Sequence, residues 1–463
     1  MNRKKAIDLL ERYFDDGIFF KDLSRRVAYQ TESQDPGKIS KLYEYLVNEM
    51  TPSLSEIGFV CKIHKNPDPK FKGPLLFAER NENCNLQTVL IYGHADVVRG
   101  NEYEWKKGLN PWKVVKKGGR LYGRGTADNK GQHTINIAAI KYILKARKKK
   151  LGFNVKILME TGEENGSPGL REFCRKNKKL LKADVLIASD GPRIKKERPT
   201  IFMGSRGVFN FTMKINLRKN NYHSGNWGGL LANPGIILSH AISSLISVSG
   251  KINVAGLNPK KIPASVKNVL KKIKIIQNKN DPVINANWGE KGLSSEEKVY
   301  AWNTLEVLSF KTGNTEKPIH AIPNEAIAHC HIRYVVPSDP KTFIKKIRNH
   351  LDKKGFKNVE IRATRGFMSA TRLDPAHPWA KWTVNSLKKT CGKEIDVLPN
   401  LGGTLPNDAF ADILKLPTIW IPHSYLSCSQ HAPNEHMLES IVKDALKLMG
   451  GVFWDMGEKG TPN

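Results

Sequence analysis

The run Leu121-Tyr122-Gly123-Arg124-Gly125-Thr126-Ala127-Asp128-Asn129-Lys130-Gly131 sets one carboxylate, Asp128, in a glycine-bounded turn that opens a helix. A carboxylate held there keeps both oxygens free in front of a rigid backbone, as a bridge between two cations requires. Taken alone, Gly, Asp and Asn also make an ordinary surface turn. Further acids and histidines at the ends of apolar runs shift the balance. Thr88-Val89-Leu90-Ile91-Tyr92 ends in Gly93-His94-Ala95-Asp96, where His94 and Asp96 share one face of an extended chain. Val155-Lys156-Ile157-Leu158-Met159 runs into Glu160-Thr161-Gly162-Glu163-Glu164, and Asp184-Val185-Leu186-Ile187-Ala188 runs into Ser189-Asp190-Gly191. Strand ends are where open α/β sheets carry their ligands.

The elements that must position these groups alternate. Two amphipathic helices are expected at the start, the second carrying Ile39, Leu42, Tyr43, Leu46 and Met50 at helical spacing, before a turn-rich loop from Pro67 to Pro74. Strands at Pro74–Ala78 and Thr88–Tyr92 follow, and a helix over His133–Lys150 carries Ile137, Ile140 and Leu144 on one face. This βαβ rhythm changes after Gly204-Ser205-Arg206-Gly207: Phe209, Phe211, Met213, Ile215 and Leu217 alternate with polar residues, as in a strand with one covered face. A helix near 231–248, a Lys- and Asn-rich insertion to about Val299, strands near 304–310 and 325–335, a helix at 340–353 and a strand at 358–364 complete a βαββαβ order, that of a ferredoxin-like sandwich. The expected fold is therefore α/β, with a catalytic domain of 1–205 and 370–463 and an inserted α+β domain of 206–369.

Composition narrows the classes. The 463 residues, 40% hydrophobic and 26% charged, fit a folded soluble protein rather than a disordered one. No stretch reads as a membrane span, and Met1 to Phe20 is interrupted by Arg3, Lys4, Lys5, Asp8, Glu11, Arg12, Asp15 and Asp16, so a cytoplasmic enzyme is the expectation. Six cysteines without a C-x-x-C pair argue against a disulfide framework or a zinc knuckle. The net charge of +31 invites a nucleic-acid reading, but the basic runs lack interleaved aromatics and read as solvated faces.

Together, Gly93-His94-Ala95-Asp96-Val97-Val98, the Asp128 turn, Glu163-Glu164-Asn165, Ser189-Asp190-Gly191 and His431-Ala432-Pro433-Asn434-Glu435 resemble, in order and over nearly the whole chain, the co-catalytic zinc peptidases that include carboxypeptidase G, carnosinase, aminoacylase and succinyl-diaminopimelate desuccinylase. Within them the carnosinase-like dipeptidases are the nearest match. The resemblance implies a catalytic domain with a central mixed sheet flanked by helices, and an inserted lid and dimerisation domain. It implies that Asp128 bridges two metals, that His94 and Asp190 complete one site, and that Glu164 and His431 complete the other. Glu163 would be the general base and Asp96 would orient His94, with a cis peptide at Asp128-Asn129.

Elementary chemistry agrees. Paired divalent ions about 3.5–4 Å apart lower the pKa of a shared water and polarise an amide carbonyl. Histidine and carboxylate ligands without thiolate suit zinc, or manganese or cobalt in its place. In the inserted domain, Tyr222-His223-Ser224-Gly225 resembles the lid motif whose histidine helps polarise the substrate carbonyl, often from the partner subunit of a dimer. Arg333 resembles the arginine that binds the substrate carboxylate, and Gly403 and Thr404 the small-residue loop that contacts it; His320 stands where threonine or asparagine is usual. The expected activity is hydrolysis of an amide bond in a small carboxylate-bearing substrate, of dipeptidase or carboxypeptidase type, by a homodimer. An N-acyl amino acid deacylase is the enzyme alternative, and a non-catalytic binding protein with a basic surface the other.

Overall fold

The computed structural model describes residues 1–275, 282–364, 366 and 368–462. The chain forms two compact units, one of residues 1–204, 373–398 and 406–463, the other of residues 205–372 and 399–405.

The first unit is built on an eight-stranded sheet in the spatial order Val60–His64, Leu75–Arg80, Asn154–Glu160, Thr88–His94, Val185–Ala188, Thr418–Trp420, Thr200–Phe202, Asp396–Leu398. Asn154–Glu160, Thr88–His94, Val185–Ala188 and Thr418–Trp420 run parallel to one another, so His94, Glu163, Glu164 and Asp190 lie at or just beyond the same strand ends. Strand Thr88–His94 is covered on both faces. Val89 and Ile91 enter the core formed with helices Lys130–Ala146, Glu439–Met456 and Arg3–Asp15, while Tyr92 points the other way and meets the edges of Phe410 and Trp420. That two-sided burial explains the unbroken apolar run in its sequence.

Helix Lys130–Ala146 begins directly behind Asp128, and its first turn approaches the preceding loop closely. A Cβ at Gly131 would lie 2.0 Å from the Thr126 carbonyl oxygen and 2.3 Å from Met437 Sδ, so only glycine fits. Two sequence expectations are revised at the start of the chain. Its first helix is two, Arg3–Asp15 and Ile18–Val27, broken where Gly17 takes φ 71°. The helix from Ile39 runs on through a π-helical turn at Tyr45–Met50 to Ser55. Strand Val60–His64 is absent from the sequence reading; it is an edge strand of half-buried and exposed residues and lacks an apolar run.

The second unit has a four-stranded antiparallel sheet in the order Thr304–Thr312, Glu325–Tyr334, Gly207–Asn216, Glu360–Ala363, the ferredoxin-like arrangement. Phe209, Phe211, Met213 and Ile215 face helices Pro234–Leu245 and Phe343–Lys353 through Leu238, Ala241, Leu245, Phe343, Ile347 and Leu351. The alternate residues of Glu325–Tyr334, among them His331 and Arg333, occupy the opposite face. Of the Lys- and Asn-rich insertion, 276–281 lie outside the described residues; the remainder carries short helices at Ala264–Leu270 and Ser295–Tyr300. Residues 399–405 pack with this unit rather than the first, because the carbonyls of Leu401 and Gly403 accept the Arg206 N–H at 3.1 and 3.2 Å.

Candidate metal centre

Asp128 is buried, and its two carboxylate oxygens face different partners. Oδ1 lies 2.9 Å from His94 Nε2, and Oδ2 lies 2.9 Å from His431 Nε2. Asp190 joins the first side, with Oδ2 3.6 Å from His94 Nε2; Glu164 joins the second, with Oε2 3.1 Å from His431 Nε2. Two groups, His94–Asp128–Asp190 and Asp128–Glu164–His431, thus share one carboxylate, and within each the donor atoms lie within 4.8 Å of one another. The Asp128–Asn129 peptide is cis.

The electrostatics show a surplus of negative charge. Burial and the neighbouring Asp128 push Asp190 up to about 7, and the same two causes push Glu164 up to about 7. Burial also lifts Glu163 well above the ordinary carboxylate range; the His94 charge opposes this, while Glu164, Asp190 and Asp128 add to it. Asp128 is buried too, yet hydrogen bonds from His431 and His94 hold it well below its usual value. Burial would lower His94, but Asp128 and Asp96 hold its proton on, well above the usual histidine range. His431 is raised to about 11 by Asp128 and Glu164. Two imidazoles are fewer positive charges than this group of acids calls for. Glu164 Oε1 is buried without a hydrogen-bond partner, and the donors are nitrogen and oxygen with no thiolate. Orphaned acceptor, charge surplus and donor set all fit a pair of divalent cations.

Asp96 does more than its proximity to His94 implies. His94 Nδ1 lies 3.0 Å from the Asp96 carbonyl oxygen and 3.4 Å from its Oδ1. The Asp96 carboxylate also accepts the backbone N–H groups of Glu163 at 3.2 Å and Glu164 at 3.1 Å, and the Ser33 hydroxyl at 2.6 Å. One buried acid therefore fixes both the His94 loop and the turn that presents the two glutamates.

A second buried acid has a role that sequence reasoning did not assign. Glu435 accepts from Arg124 Nη1 at 2.8 Å and from the backbone N–H groups of Gly125, Ala127 and Asp128 at 3.0, 2.9 and 3.0 Å. It clamps the Asp128 turn to the segment carrying His431. Gln430 Nε2 also donates to Asp128 Oδ2, at 2.5 Å. Glu435 ends the motif that begins at His431, but a contact across more than 300 positions leaves no local pattern to read.

The remaining expected residues belong to the second unit and fall in two places there. Arg333 Nη1 donates to Thr404 Oγ1 at 2.5 Å, beside Gly403. His223 and His320 are exposed and come together at a small ribbon in which Tyr222–His223 pairs with Ala321–Ile322, and the Ser224 N–H donates to the His320 carbonyl at 2.9 Å.

Comparison with known proteins gives the family. The description Peptidase family M20/M25/M40 matches residues 90–454. The Beta-Ala-His dipeptidase of Homo sapiens is 26% identical over 483 aligned residues, covering 98% of this chain and 93% of its own. Among solved structures, the M20 family metallo-carboxypeptidase Sso-CP2 from Sulfolobus solfataricus aligns with a TM-score of 0.78 at 26% identity, covering 95% of this chain and 99% of that one. Human carnosine dipeptidase 1 gives a TM-score of 0.78 at 22% identity over 99% of each chain, a likeness of fold. With most of its length matched and two candidate metal-binding groups sharing Asp128, the chain belongs to Peptidase family M20/M25/M40.

Proposed function

We propose that this chain is a metal-dependent dipeptidase, and that Asp128, with one oxygen on the His94 side and the other on the His431 side, is the observation that carries the reading. His94, Asp128 and Asp190 would hold one divalent cation, and Asp128, Glu164 and His431 the other, with zinc best suited to the donor set. Such a pair, when bound, supplies Lewis acidity, lowering the pKa of water and polarising the scissile carbonyl. Glu163 is the proton carrier. Its carboxylate, made more basic by burial, takes a proton from the attacking water and returns it to the nitrogen of the leaving amine. Asp96 holds the Glu163 and Glu164 backbone, so the two adjacent acids keep separate tasks.

Substrate recognition is assigned to the second unit. Arg333 offers a two-pronged guanidinium to the substrate carboxylate, with the Thr404 hydroxyl and the Gly403 backbone beside it. His223 is the lid group assigned to polarising the carbonyl, and His320, its neighbour on the ribbon, is a further substrate-binding candidate. The working form is a homodimer through this unit. In support, Thr304–Thr312 is an edge strand with Val307, Leu308 and Phe310 exposed, the kind of apolar edge that pairs with another chain. The cytoplasm is the proposed location, in keeping with six unpaired cysteines.

The test is a panel of dipeptides beside N-acyl amino acids, assayed with and without chelator. Dipeptide turnover that chelation abolishes and zinc restores is expected. Chelator-resistant turnover, or turnover of N-acyl amino acids alone, would overturn the assignment.

A further inference from the structure

The second unit contains a cavity of about 500 Å³ on the sheet face away from helices Pro234–Leu245 and Phe343–Lys353. Arg206, Thr304 and Glu306 form its floor, and Trp288, Lys298 and Val299 its roof. Thr304 and Glu306 stand opposite Arg333 and His331 in the strand register, on the face that the core does not use. The roof is built rather than loosely draped. Lys298 Nζ donates to the carbonyls of Ala286 and Trp288 at 3.3 and 2.7 Å, and the Trp288 indole lies on Gly250, where a Cβ would come within 2.5 Å of the ring. Ser294 and Glu297 cap the helix that carries Lys298 and Val299 with a reciprocal pair of hydrogen bonds.

Arg206 is 6% exposed, yet it makes no direct ion pair among the described residues. Nη2 donates to Thr304 Oγ1 at 3.0 Å and to the Arg333 carbonyl at 3.2 Å, while Nε is buried without a partner. Among the described residues no carboxylate comes within the 4.0 Å of an ion pair to it. Burial, and then the charge of Arg333, push it down to about 10. Burial raises Glu306, and the Arg206 charge opposes that rise. The two side chains feel each other across the cavity without closing on each other, leaving a cation and an anion facing one space with an aromatic wall beside it.

We propose that this cavity binds a free α-amino acid, its carboxylate on Arg206, its ammonium toward Glu306 and an apolar side chain against Trp288 and Val299. A planar guanidinium suits a carboxylate, and only a zwitterion satisfies both charges at once. The volume falls within the roughly 300–1,000 Å³ of ordinary ligand pockets. This site shares no residue with the metal centre, and neither Arg333 nor Thr404 lines it.

Calorimetric titration of the full chain with L-leucine, with and without EDTA, tests the proposal. Binding that survives EDTA is expected, weakened at least tenfold by Glu306→Gln and by Arg206→Gln. N-acetyl-leucine, which lacks the ammonium, and leucinamide, which lacks the carboxylate, should each bind at least tenfold more weakly than leucine. Glu306→Gln changes a half-buried strand residue by a single group and so keeps the test valid even if Arg206→Gln does not fold. Absence of binding would overturn the proposal, as would N-acetyl-leucine or leucinamide binding as well as leucine, or binding that EDTA abolishes and Glu306→Gln leaves intact.

Discussion

At the scale of single residues, the site divides between groups that touch the chemistry and groups that hold them still. Glu163→Gln keeps the size of the side chain and removes the proposed proton acceptor. It is expected to lower kcat by about 10²–10⁴-fold, with the metal content measured by elemental analysis unchanged. Glu435→Gln probes the other kind. Its carboxylate faces three backbone donors and a guanidinium, so an amide must turn an N–H₂ toward N–H donors. The Asp128 turn then loosens, and zinc affinity measured by competition with a chromophoric chelator should fall about 10–100-fold. Unchanged affinity would reduce Glu435 to a structural tie. The two residues were unequally legible in the sequence. Glu163 follows an apolar strand in a recognisable motif, whereas the work of Glu435 depends on a turn far away along the chain.

At the scale of elements, what could be read was what the core demands. The run Thr88–Tyr92 and the alternation from Phe209 announce themselves because a covered face repeats every residue in one case and every second residue in the other. Strand Val60–His64 has little covered face, and the break at Gly17 rests on one left-handed residue inside a continuous amphipathic pattern, so neither leaves such a trace. The two ends of the chain meet in a way that no local pattern reports. Arg3, on the first helix, donates from Nε to Asp455 Oδ1 at 2.8 Å and from Nη2 to Oδ2 at 2.9 Å, on the last helix. Burial alone would raise Asp455, but hydrogen bonds from Arg3 and Ser386 hold it below the ordinary aspartate value. A depressed folded-state pKa contributes stability above the unfolded value and loses it as pH falls through the folded one. Arg3→Ala should therefore cost about 2 kcal/mol at neutral pH, measured by urea unfolding, with the difference from wild type shrinking below about pH 4. A constant difference down to pH 2 would show that the arginine acts through packing alone.

At the scale of the whole molecule, the proposed metal centre would act as a cross-link between distant parts of the chain. Asp128 and His431 are 303 positions apart, and ligands gathered over such a distance form no site in the unfolded chain. A cation that binds only the folded form stabilises it by mass action, about 4 kcal/mol at a free concentration one thousand times the dissociation constant. All five proposed ligands lie in the first unit, so the effect should be unequal: in calorimetry, chelation is expected to lower the transition of that unit and leave the second unit's unchanged. His431→Ala removes a ligand from only one of the two groups, and elemental analysis should show bound zinc falling from two equivalents to one. A chain whose unfolding ignores both zinc and chelator, or one that binds two equivalents without His431, would mean that Asp128 and its neighbours are held together by hydrogen bonds alone and that the cations bind elsewhere.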